Sequence, residues 1–339
     1  MPVVSLLTTP YCNGQGIAQE LAAEQNLRLV KDDIVNQISV DYDVPIDKLL
    51  EAINGSNKFF AMNSRDRRKF IFYIKERVAA EVAKNNCIIA GFTSLMVPRN
   101  ISHVLKVCLT GDINFRIDNA INRTNLNAKA ARDLIKEIDQ KLFNWSNFIY
   151  KTNPWDAHLY DIVIPAHKKT PDEITSMISV NLAQDVINES SASVQQAKDF
   201  ELAARVNAQL AREGHDVDVS ARGAHITVML RKYYLRLEHH KQELRDIVMK
   251  LDGVKSVEVK MGPSFNMPFM HIPVDFEVPN KTLLVDDEKE FVETLSERLK
   301  TRNIASVVAY DGQSALESIR RDKPDVMVLD LKMPGMGGM

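Results

Sequence analysis

Apolar and polar positions along the chain follow one rhythm up to about residue 185, another from about 198 to 262, and a third from 281 onward. In the first stretch, Val3 to Leu7 is a short apolar run before a Gly-containing turn, and Ile17 to Glu24 follows with helical spacing. Cys87 to Ala90 and Val104 to Leu109 are further strand-like runs, separated by helical patterns. Alternation of this kind predicts a parallel sheet with helices on both faces. The second stretch reads as a helix ending at Gly214, an alternating pair Val217 and Val219, a turn at Gly223, and alternating Ile226, Val228 and Leu230. A helix to Leu251, stopped by Gly253, then leads to Val257 and Val259, which together predict a small α+β module.

The third stretch repeats a strand-helix unit. Thr282 to Val285 is an apolar strand, and Phe291, Val292, Leu295 and Leu299 mark one side of a helix. Ser306 to Tyr310 is a second strand, an Asp311-Gly312 turn precedes a helix carrying Ala315, Leu316 and Ile319, and Val326 to Leu329 is a third strand. The predicted order is β-α-β-α-β. Between the stretches, Asn188 to Lys198 (NESSASVQQAK) has no apolar periodicity and is expected to be a linker or a loosely held helix start. Pro263, Pro268, Pro273 and Pro279 predict an extended tether over 263–280. The expected division is therefore 1–185, 198–262, a Pro-rich linker 263–280, and 281–339.

Composition adds limits rather than a partner. A chain of 339 residues exceeds what one core usually supports, which fits two or three domains. With 45% hydrophobic residues, 26% charged residues and a net charge of -2, nothing points to a surface that seeks nucleic acid or membrane, and no helix-turn-helix pattern suggests DNA binding. Cys12, Cys87 and Cys108 lack metal-ligand spacing and are expected to be buried thiols in a reducing compartment. No basic leader and no run of roughly 20 apolar residues is present, so a cytoplasmic location is expected. His239 and His240, adjacent on a charged helix, are expected at the surface.

Chemistry enters at the strand ends of the third stretch. The first strand runs into Asp286 and Asp287, the third into Asp330. Right-handed crossovers in a parallel sheet bring these carboxyl ends to one edge, where three carboxylates would repel one another unless a hard cation such as Mg²⁺ sat among them. Asp330 would then be placed to attack a phosphoryl group and form an aspartyl phosphate. Each element alone has a simpler role: Asp287 with Glu290 forms a capping-box pattern, and Asp330 precedes a Pro-Gly turn.

The ordered set LLVDDE, two helices and VLDLKMPGM resembles the receiver domains of two-component response regulators, over all of 281–339. The resemblance implies a partial flavodoxin-like fold, Asp286 and Asp287 as the acidic metal-binding pair, Asp330 as the phosphoacceptor, and the backbone carbonyl of Lys332 as a further metal ligand. It also implies Mg²⁺ as cofactor and a histidine kinase as phosphodonor. Receivers continue through two more strands bearing a Ser or Thr and a Lys that respond to the phosphate; this sequence reaches Met339 with neither, and a longer reading frame is expected.

The first stretch carries TTPYCNGQGIAQELA after its opening strand, a placement in which a Gly-containing loop and a helix N-terminus present N–H groups to phosphate. Ile17 and Ala18 stand where a competent loop has Lys and Ser or Thr. With IKERVAAEVAKNNCIIAGF, HVLKVCLTGD, the helix FRIDNAINRTNLNAKAARDLIKEID and YDIVIPAHKKTPDEI, the stretch resembles the cytidylate kinase-like family of P-loop phosphotransferases. That resemblance implies nucleotide binding by Asn13, Gly14, Gln15 and Gly16, a lid bearing Arg116 and Arg123, and ATP and CMP as ligands. It departs from the family in the missing loop cation and in Phe92 after Gly91, where relatives commonly carry Arg. Cys12 is either a reactive thiol at a helix N-terminus or a small residue filling a tight turn.

The middle module, with ARGAHITVML and LDGVKSVEVK, is similar to BON domains, with Arg231 standing where relatives often have Gly. A spacer or homodimer-forming role is expected for it. The reading that joins these parts is a phosphorelay protein of a two-component system, in which Asp330 accepts phosphoryl beside a nucleotide-kinase-like sensory or output domain. The alternatives are an active nucleoside monophosphate kinase regulated by the receiver, and a non-catalytic pseudokinase scaffold.

Overall fold

A computed structural model describes the chain apart from residues 1, 31–32, 55–61, 233, 235, 267–280, 301–304, 331–332 and 334–339. The chain divides into two compact units, Met1–Arg231 with Lys241–Phe265, and Lys232–His240 with Asn266–Met339. No helix among the described residues is long and apolar enough to cross a membrane.

In the first unit the elements run β1 (Val3–Thr8), α1 (Gly14–Glu24), β2 (Arg28–Val30), α2 (Asp33–Tyr42), α3 (Ile46–Asn54), α4 (Ser64–Lys84), β3 (Cys87–Ala90), β4 (Val104–Thr110), α5 (Ile113–Thr124), α6 (Ala128–Tyr150), β5 (Ile162–Pro165) and α7 (Pro171–Leu182). The sheet order is β2-β3-β1-β4-β5 and every pairing is parallel. Because side chains alternate across a strand, β1 feeds two cores at once: Val3 and Leu7 enter one, Val4 and Leu6 the other. Ile17, Leu21, Ile174 and Ile178 from α1 and α7 close one face, whereas Tyr73, Ile74, Val78 and Trp145 from α4 and α6 close the opposite face. Helices therefore cover both faces, as the alternation predicts.

Two expectations change here. The stretch read as one helix, FRIDNAINRTNLNAKAARDLIKEID, is broken into α5 and α6: Asn125 turns left-handed at φ 56 to end α5, and the Asn127 side chain caps α6 by accepting from Ala130 N. The second change concerns 188–198. Of the two alternatives for that segment, the helix start is observed, but it is held firmly: Ser190 and Ser193 form a capping box, and α8 (Ser191–Arg212) follows. Ala197, Phe200, Ala204 and Ala208 of α8 lie in the same core as β1 and α4. Helix α8 is thus packed into the first unit rather than separate from it.

The rest of that module is β6 (Val217–Arg222), β7 (His225–Lys232), α9 (Leu237–Met249) and β8 (Ser256–Asn266), with sheet order β6-β7-β8 and an antiparallel β6-β7 hairpin. Gly223 (φ 60) and Gly253 (φ 83) supply left-handed turns at the expected places. Arg68 of α4 bonds Asp216 and Asp218 at 2.8 Å each, and Arg231 meets Asp218 at 2.9 Å. Burial opposes ionisation of Asp218, but Arg68 and Arg231 more than offset it and hold the carboxyl below its usual range. Residues 263–266 continue β8, so the expected tether does not begin at 263; 267–280 lie outside the described residues.

In the second unit β9 (Lys281–Val285), α10 (Lys289–Lys300), β10 (Ala305–Ala309), α11 (Gly312–Arg321) and β11 (Val326–Leu329) form a parallel sheet of order β10-β9-β11. Leu283, Val285, Ala309, Ala315 and Met333 make its small core, while Val326, Met327 and Val328 of edge strand β11 stay 44–50% exposed. Also in this unit, His240 is buried and its ring stacks on Tyr234 at 3.7 Å, which corrects the expected surface position; His239 is exposed as expected.

Candidate functional site

Register decides the geometry of the acidic site. Ala309 and Leu329 both pair with Val285, so the three strands end flush. The ladder continues one residue further: Asp330 N donates to Val285 O at 2.9 Å and Asp286 N to Ala309 O at 3.2 Å. These bonds fix the backbones from which two of the carboxylates project. One ligand oxygen each from Asp286, Asp287 and Asp330 lies within 4.8 Å of the others, with Asp286 and Asp330 half-buried and Asp287 exposed. Asp286 Oδ1 also accepts from Glu288 N at 2.9 Å, so the turn into α10 is held by Asp286 rather than by the Asp287–Glu290 pattern. The three expected acidic residues are brought together; Lys332 lies outside the described residues. A donor set made only of carboxylate oxygens fits a hard divalent cation such as Mg²⁺, which prefers oxygen and offsets the repulsion among them.

The N-terminal loop is built differently from a free phosphate cradle. Asn13 adopts φ 57 and caps α1 without a side-chain bond into the helix, and Gly14 and Gly16 occupy its first turn. A Cβ on Gly14 would meet Thr8 Oγ1 at 2.2 Å, so packing against β1 already demands that glycine, whereas one on Gly16 would meet only the Asn13 amide, at 2.8 Å. Arg116 is buried; its Nε donates to Pro10 O at 2.9 Å and its Nη2 pairs with Asp139 at 2.7 Å. Arg123 Nη2 donates to Asn13 Oδ1 at 2.8 Å, and Asn119 Nδ2 to Tyr11 O at 2.9 Å. One face of α5 therefore clamps the loop, with Arg116 and Arg123 both turned onto it.

Asn119 and Asp139 are the site residues that the sequence reading misses. Asn119 carried a signal, since 116, 119 and 123 fall on one helical face; Asp139 lies in another helix and carried none. Cys12 is buried, shares a 2.8 Å hydrogen bond with Thr9, and has its thiol pushed up by burial, which the Thr9 bond only partly opposes. The small residue filling a tight turn is the alternative this supports. Cys87 and Cys108 are buried too, both pushed up to about 12. Phe92, the residue noted as a departure from the family pattern, packs edge-on against Trp145 at 5.4 Å.

Taken together, the strand orders describe an α/β chain with a five-stranded parallel first sheet and a three-stranded parallel sheet whose strand ends carry the carboxylate trio. Residues 3–168 match the cytidylate kinase-like family, and residues 282–339 match the response regulator receiver domain. The chain carries both domains. A probable transcriptional regulator, ycf27, of Guillardia theta is 37% identical over 67 residues, which cover 20% of this chain and 26% of that protein. This chain thus spans about a quarter of that relative's length. An uncharacterized protein from Eubacterium ventriosum aligns with 54% of this chain and 98% of its own, at 18% identity and a TM-score of 0.41. A shikimate kinase from Bacteroides thetaiotaomicron aligns with 54% and 99%, at 12% identity and a TM-score of 0.33.

Proposed function

We propose that the receiver accepts a phosphoryl group on Asp330 in an Mg²⁺-dependent phosphorelay, with a histidine kinase as donor. The observation that carries this reading is the convergence of Asp286, Asp287 and Asp330 within 4.8 Å at the flush ends of β9 and β11. The three carboxylates would hold the cation, with the backbone carbonyl of Lys332 as a further ligand. Bound there, Mg²⁺ supplies positive charge against the phosphoryl oxygens. Asp330 contributes the attacking carboxylate oxygen: its bond to phosphorus forms as the donor's bond to phosphorus breaks, and a histidine donor leaves as imidazole, taking up a proton. Asp286 and Asp287 would help hold that cation beside Asp330, whose repulsion of the incoming anion the bound charge would offset.

The kinase-like domain is assigned a sensory or output role. Arg116 and Arg123 would be the cations of a phosphoryl-transfer lid, yet each is engaged with the loop or with Asp139, and Ile17 supplies no charge. Incubation of the full chain with labelled acetyl phosphate and Mg²⁺ tests the proposal. Base-labile label should appear in the native protein and vanish in Asp330→Asn; equal labelling of the two would remove Asp330 from the role.

A further inference from the structure

Outside both regions described so far, the first unit contains a cavity of about 480 Å³ on the sheet face that α4 and α6 cover. Its floor is unusual. Lys106 sits in the middle of β4, a central parallel strand, beside Ser5 of β1 in register, and it is only 8% exposed. Such strands are ordinarily apolar on both faces, and a lysine is almost never fully buried without a partner. The Lys106 ammonium donates to Val97 O, whereas the Asp161 carboxylate accepts from the Lys106 backbone N–H at 2.8 Å.

Lys75 of α4 lines the same cavity and hydrogen-bonds to no protein group among the described residues; its ammonium lies 5.7 Å from the Phe200 ring centroid. Arg99 stands exposed at the rim, also without a hydrogen bond or ion pair among the described residues. Asp218, the acid that Lys75 feels, is already bonded to Arg68 and Arg231, and Asp156 is paired with His158 at the rim. Cationic charge in the cavity is therefore in excess. Burial holds both ammonium groups below the usual lysine range, Lys106 down to about 8, with Asp161 only partly restoring it. Leu95, Met96, Pro98 and Leu159 supply apolar wall, alongside the polar groups of Ser94, Thr152 and Tyr160.

We propose that this cavity binds a small organic anion, a carboxylate or phosphate ester on an apolar body, with its charged end toward Lys106 and Lys75. The volume is in the range of small-molecule sites, and a few fixed polar groups among apolar walls is how such sites set orientation. An anion here would give the two lysines the counter-charge that the protein withholds. The site is distinct from the N-terminal loop, whose residues do not line it.

A ligand-observed NMR titration of the full chain with phenyl phosphate, benzoate and uncharged benzyl alcohol tests this. At least one anion should bind saturably, at least about tenfold tighter than the alcohol, and the stronger anion identifies the charged group. Lys75→Met should weaken that binding about tenfold while raising the melting temperature, because an uncompensated buried cation is removed. A residue held only for structure would lower it instead. Lys106→Met serves as the second variant and should weaken binding likewise. No saturable binding of either anion, binding of the alcohol as strong as theirs, or unchanged anion affinity in both variants would overturn the proposal.

Discussion

At Arg116 the guanidinium is shared between the carbonyl of Pro10 and the carboxylate of Asp139, and it is almost fully buried. Arg116→Met would leave both acceptors without their partner and is expected to cost about 2–3 kcal/mol, read from the urea midpoint. Arg123→Ala, at an exposed bond to Asn13, should stay within about 0.5 kcal/mol. The difference separates two residues that the sequence treats alike. Asp286, Asp287 and Asp330 were legible in the sequence because each follows directly from a parallel strand, and register alone carries them to one edge. The role of Arg116 was not, because its partners on other elements meet it only through tertiary packing, Pro10 lying 106 residues away. Lys106 was visible only as a charge interrupting an apolar run, with nothing local to show whether it faced solvent or a cavity.

For α8, polar composition at its N-terminus concealed a strong start. Ser190 and Ser193 cap each other's backbones, and the face that enters the core begins only at Ala197. Phe200 is buried in the same core cluster as Ile74 and Val78, so Phe200→Ala is expected to destabilise the first unit by about 3 kcal/mol in chemical denaturation. A change near zero would mean that α8 belongs to an independent module. The same helix shows where pattern reading succeeds and where it stops. Its end before Gly214, and the later turns at Gly223 and Gly253, follow from glycine placement; its partner, α4, follows from a long-range contact that no local period encodes. The break between α5 and α6 went unread because Asn125 and Asn127 were weaker punctuation than glycine or proline, although an asparagine tolerates the left-handed turn.

Across the first unit, α2, α4 and α8 meet at Glu76, whose carboxyl is pushed up to about 7 by burial, with Arg205 partly opposing and Asp41 adding to the rise. A folded-state pKa above the unfolded value means that the native state binds the extra proton, so stability is lost as pH rises from about 4.5 through about 7. Partial solvent screening limits the loss to about 1–2 kcal/mol. Glu76→Gln should flatten that slope and be the more stable protein at pH 8, measured by thermal melts across the pH range. In the second unit, phosphorylation at Asp330 is tested most directly by trapping the acyl phosphate where it forms. After incubation of the full chain with phosphodonor and Mg²⁺, borohydride reduction converts an aspartyl phosphate to homoserine, which peptide mass spectrometry locates. Homoserine at position 330, lost when Mg²⁺ is chelated, is the predicted result. Homoserine at another aspartate, or none at 330 with donor and Mg²⁺ present, would contradict it.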